Sequence, residues 1–177
     1  VRVDALPGIL TLRRAAKAAM QLAGDLQGAE SLHQTQQFSQ QEHISMLSVS
    51  DFGTTGLTGS EKISDEKSAL SILTRGTGAS SSNGDRGGSF GIGSEVGVMA
   101  SRMSTTYYRT LRPNDPDLVI AGYARLATHV GVDGDRHRGV GFLNLLSDTQ
   151  DFTYMRNEPR FQEFPARTEV GTDVLIP

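Results

Sequence analysis

Asp51-Phe52-Gly53-Thr54-Thr55-Gly56-Leu57-Thr58-Gly59 follows directly on Ile44 to Val49, where Ile, Met, Leu and Val mix with Ser. That pattern, bounded by turn residues, predicts a strand ending at Ser50-Asp51. A carboxylate at a strand end can accept a hydrogen bond from an exocyclic amine such as adenine N6. Glycines beyond it let the backbone come close to a flat ring. The same residue types also suit a plain turn, and taken alone the stretch fits either reading.

Downstream, Asp65 opens a predicted helix with Ala69, Leu70, Ile72 and Leu73. From Arg75 to Gly88 the chain is almost all Gly, Ser, Thr, Asn and Asp, the composition of a surface loop. A second glycine cluster follows, Gly87-Gly88-Ser89-Phe90-Gly91-Ile92-Gly93-Ser94, running into a predicted helix over Gly91 to Met103. Unpaired amides at a helix N-terminus, with about half a positive charge from the dipole, suit phosphate oxygens. A hinge is the alternative reading. No Lys-Ser/Thr follows these glycines, so they are not a Walker loop, and they do not open a parallel sheet as a Rossmann turn does. Thr105 to Leu111 and Leu118 to Thr128 read as strands. Asp133-Gly134 reads as the turn from the second of these into Arg138 to Leu143, and Thr172 to Ile176 as a last short strand. Upstream, Pro7 to Ala23 carries its apolar residues at helical spacing and stops at Gly24. The Gln-rich stretch after it reads as a loop or an extended helix end. This order of elements predicts an α+β fold, a two-layer α/β sandwich with a mostly antiparallel sheet and helices on one face.

Length and composition bound the rest. The chain has 177 residues, enough for one domain over 1–177. It begins with Val rather than Met and ends on an apolar run, so both ends read as cut from something longer. The absence of cysteine excludes disulfides, zinc-thiolate sites and cysteine nucleophiles. A net charge of −3 argues against a nucleic-acid coat, and no apolar run is long enough to span a bilayer. A cytoplasmic location is the default expectation.

The combination of motifs resembles the GHKL, or Bergerat-fold, ATPases: gyrase B, heat-shock chaperones, histidine kinases and MutL-type proteins. The resemblance runs from about Ile44 to Ile176 and rests on strand, Asp-x-Gly-x-x-Gly, helix, glycine-serine loop, Gly-x-x-Gly-x-Gly, helix and antiparallel strands. The wording Asp-Phe-Gly-Thr-Thr-Gly-Leu and Gly-Gly-Ser-Phe-Gly-Ile-Gly is most similar to the bacterial branch related to MORC proteins, often encoded near phage-defence systems. The resemblance implies ATP with Mg2+ as the ligand. Asp51, Gly53, Gly56 and Leu57 would form the adenine pocket, with Thr172 joining Asp51 there. Gly88, Ser89, Phe90, Gly91, Ile92 and Gly93 would lie at the phosphates, and Arg75 to Gly87 would be the ATP lid. It further implies lid closure that drives homodimerisation, with a DNA or defence-system partner by analogy only.

Three departures from the family pattern are visible. One extra residue separates Gly53 from Gly56, and Ser94 stands where the nearest branch often has lysine. The family also carries its magnesium-binding Asn, and often a catalytic Glu, on a helix before the first glycine box. Pro7 to Gly24 has no acid-x-x-x-Asn pattern. Either those residues precede Val1, or the module senses nucleotide or serves as a structural interaction domain without hydrolysis. No catalytic residue is assigned. His33, His43, His129 and His137 lack metal-site spacing, so no metal ligand is assigned either. Arg136-His137-Arg138 reads as a solvated turn, with a phosphate or DNA contact as the alternative.

Overall fold

The computed structural model describes residues 1–23, 29–61, 68–75, 92–131, 133–143, 145–146, 152–157 and 163–177. A 3-10 turn at Val3–Ala5 leads into α1 (Ile9–Ala23) and α2 (Ala29–Ser39). β1 (Leu47–Ser50) precedes α3 (Ala69–Arg75) and α4 (Ile92–Ala100), after which β2 (Thr105–Arg112) and β3 (Asp115–Arg125) form a hairpin. Six short strands follow: β4 (His129–Val130), β5 (Arg136–His137), β6 (Val140–Leu143), β7 (Leu145–Leu146), β8 (Phe152–Thr153) and β9 (Met155–Arg156). The last strand is β10 (Gly171–Ile176).

The fold is α+β with a mostly antiparallel sheet. Its order is β1-β10-β2-β3-β6, with β9 also on β3, so the last strand inserts between the first and the hairpin. Val49 lies opposite Val174, and Val174 opposite Tyr108. The β2–β3 turn is made by Pro113 and Asn114, the latter at φ 61, a left-handed conformation that Asn accepts through local hydrogen bonding.

Helices cover both faces of this sheet, which corrects the expectation of helices on one face. Along β2, β3 and β10 successive residues are buried, so both faces are covered. Tyr107, Ile120 and Leu175 join Val3, Leu6, Ile9 and Leu12 in one cluster. Tyr108, Val119 and Ala121 join Leu70 of α3 and Val98 of α4 in the other. Burial that does not alternate along a strand marks a sheet covered on both sides. A half-solvated sheet alternates instead. Burial raises the pKa of both tyrosines, so each stays a protonated phenol, and Tyr107 donates its hydroxyl to the Pro7 carbonyl at 3.0 Å.

Other expectations shift by smaller amounts. The Gln-rich stretch is largely a separate helix, α2, held in part by buried Leu32 and Thr35. Thr35 shares a hydrogen bond of 2.9 Å with Ser104. The turn at Asp133-Gly134 joins the small hairpin β4–β5, nested within the longer connection that pairs β3 with β6. Among the described residues no helix is long and apolar enough to cross a membrane.

Candidate functional site

Asp51 is the first residue past β1. Its N–H donates to the Thr172 carbonyl at 2.9 Å, continuing the ladder with β10. The return bond differs from a regular ladder. The Thr172 N–H donates to Asp51 Oδ1, while the Asp51 backbone carbonyl accepts from Arg167 Nη2. The carboxylate therefore replaces its own carbonyl at the strand end, which fixes its position on β10. Oδ2 has no partner among the described residues, and the side chain is 51% exposed.

Thr172 continues the site inward. Its hydroxyl lies 3.2 Å from that of Thr110 on β2, and Thr110 Oγ1 accepts the Leu57 N–H at 2.8 Å. The loop after β1 is thus drawn over the sheet, and Leu57 packs against the cluster that holds Leu70 and Val98. Gly53 and Gly56 have φ of 66° and 61°, in the left-handed region open to glycine. A Cβ at Gly56 would sit 2.5 Å from the Leu111 carbonyl oxygen, whereas one at Gly53 would meet nothing within 4 Å. Gly56 is needed for close approach as well as for φ. The far end of the loop is tied by Glu61, which pairs with Arg112 at 3.2 Å and with Arg156.

Beneath Asp51 lies a buried charge cluster. Arg109 donates to Asp173 Oδ2 from Nε at 3.0 Å and Nη2 at 2.7 Å, and Arg167 donates to Asp173 Oδ1. Arg167 also lies 3.6 Å from Asp51 Oδ1 and under the Phe52 ring, 5.0 Å from its centroid. It connects the glycine loop to β10. Arg167, Thr110 and Asp173 were invisible to motif reading. Arg167 falls in a segment without period, and the hydroxyl of Thr110 meets that of Thr172 only through the β2–β10 register.

The structure therefore brings Asp51, Gly53, Gly56, Leu57 and Thr172 together. Ile92 and Gly93 open α4, which covers the same face of the sheet as Thr172 and Thr110. Gly88, Ser89, Phe90 and Gly91 lie outside the described residues, as do residues 76–87 of the stretch expected from the resemblance to be a lid. α1 packs on the opposite face, so its side chains do not reach this site. Among the described residues no cluster of three His, Asp or Glu is placed to hold a metal ion. A cavity of about 490 Å³ lies not here but on the α1 face. In comparisons with protein-family models, curated proteins and solved structures, the chain matches none.

Proposed function

We propose that this chain binds ATP as a GHKL-type domain of the Bergerat fold. The observation that carries the reading is the meeting of Asp51 with Thr172 at the end of the β1–β10 pair, on the face that α4 covers. Asp51 Oδ2 accepts the exocyclic amine of the purine. The Thr172 and Thr110 hydroxyls are the polar groups beside it, suited to an ordered water that bridges to the ring. Gly53 and Gly56 bring backbone against the base, and Leu57 supplies an apolar floor. The amides preceding and opening α4 face the phosphates, where the helix dipole favours negative charge. Closure of residues 75 to 90 over the triphosphate then creates the surface on which two copies dimerise.

Binding rather than turnover is the function assigned to these residues. Hydrolysis in this family needs an Asn, and often a Glu, on a helix beside the phosphates, and α1 lies across the sheet from that place. α1 is therefore not that helix, and no hydrolytic residue is assigned. No residue here is assigned to magnesium.

The test is calorimetric titration of ATP into wild type and Asp51→Asn. The variant keeps an acceptor for the Thr172 N–H, so the fold should persist. Loss of the charged hydrogen bond should weaken ATP at least about tenfold, the scale of a charge-assisted bond. Equal affinity for both proteins would sink the assignment.

A further inference from the structure

The cavity of about 490 Å³ on the α1 face lies across the sheet from Asp51 and Thr172, within the size range of small-molecule sites. Its floor is made of small residues on the inward face of β2, β3 and β6, namely Thr105, Gly122, Ala124 and Gly141. Gly122 is already filled in, since a Cβ there would lie 2.8 Å from Leu143. Gly141 is open, with nothing within 4 Å of the same position. The roof is the start of α1, where Pro7, Gly8, Leu12 and Ala15 offer an apolar surface.

The mouth is different in character. His129 and His137 stack with ring centroids 5.6 Å apart and make a flat side wall. Each ring is held from outside the cavity. His129 Nδ1 is 3.0 Å from the Ala127 carbonyl, and His137 Nε2 is 3.0 Å from both Asp133 oxygens. Arg138 beside them makes no hydrogen bond or ion pair among the described residues. Among the described residues no Asp or Glu lines the cavity, and the fixed charge they place there is this guanidinium.

We propose that the cavity binds an apolar monocarboxylate, an alkyl or aryl acid whose body lies on the Gly122–Gly141 floor and whose carboxylate pairs with Arg138. An apolar enclosure gives affinity by removing hydrocarbon from water. A free arginine at its mouth gives preference for the anion, since guanidinium and carboxylate match in geometry. The site is independent of the nucleotide site, because it stands on the other face of the sheet.

Calorimetry with sodium octanoate as the probe, against octanamide and acetate, tests this. Octanoate should bind, and octanamide and acetate should each bind at least about tenfold more weakly, the first lacking the charge and the second the hydrocarbon. Arg138→Gln, an exposed change, should weaken octanoate by a similar factor and leave octanamide unaltered. Gly141→Leu fills the floor and should abolish octanoate binding while the circular dichroism and melting temperature stay native-like. Octanoate binding that survives Gly141→Leu, equal binding of octanoate and octanamide, or no octanoate binding at millimolar concentration would each overturn the proposal.

Discussion

Gly53 and Gly56 show how two residues of one type in one loop answer to different constraints. Both hold a left-handed φ, which costs an L-residue on the order of 1–2 kcal/mol. Only Gly56 also presses on backbone, with its would-be Cβ 2.5 Å from the Leu111 oxygen and 2.8 Å from Thr110 Oγ1. Gly53→Ala should therefore cost about 1 kcal/mol of stability. Gly56→Ala should cost roughly 1–3 kcal/mol more, the scale of overpacking, and should detach Leu57 from Thr110. Urea melts of the two variants side by side check the order, and equal losses would contradict the close approach. Asp173 is the other residue on which much depends. It is 3% exposed and neutralises two arginines that are themselves largely buried. Asp173→Asn keeps the shape but leaves those charges uncompensated, so a loss of about 3–5 kcal/mol is expected in the same melts.

At the scale of elements, the stretch from Asp51 to Glu61 has no regular structure yet is held at three places. Thr172 and Arg167 hold its start, Thr110 its middle, and Arg112 and Arg156 its end. Arg156 is the centre of the last group, donating to Glu61, Asp115 and Asp117. The hydrogen bond from Arg156 holds the Asp115 carboxyl below the usual aspartate range. A carboxyl whose folded pKa is depressed stabilises the fold above its unfolded value, near about 3.9, and that stabilisation disappears as pH falls through the folded value. Arg156→Met should move the Asp115 midpoint up toward its ordinary value in a carboxyl NMR titration. An unchanged midpoint would show that Arg156 is not the cause. α4 shows the same close fit further along β2. A Cβ on Gly97 would lie 2.7 Å from Thr106 Oγ1, so this helix lies directly on β2.

For the whole molecule, the question is whether two clusters on opposite faces of one sheet behave as one cooperative unit. Leu12 and Leu70 are buried in different clusters but meet strands that hydrogen-bond to one another. Leu12→Ala and Leu70→Ala should each cost about 2–5 kcal/mol. Each should still unfold in a single transition by tyrosine fluorescence and by far-ultraviolet dichroism. Two separated transitions would make the faces independent. The sequence was sufficient for the elements whose signal is local. Helical spacing located α1, β-branched and aromatic residues located β2 and β3, and an acid followed by glycines marked the end of β1. It misplaced the helices as one layer, because period tells how wide an apolar stripe is but not which side of a sheet receives it. It also passed over α2, whose glutamines hide a helix stabilised in part by the Ser104 contact to Thr35. At the site, Asp51 and the two glycines could be named from their types and order, and Thr172 only through the family resemblance. Thr110, Arg167 and Asp173 could not, because their roles come from strand register and burial. What the residues determined alone was which segments turn, coil or extend, since those are short-range preferences of backbone and side chain. The insertion of β10 between β1 and β2, which sets a carboxylate against a threonine more than a hundred residues away, was decided only by tertiary packing, because both faces of the sheet had to be covered at once.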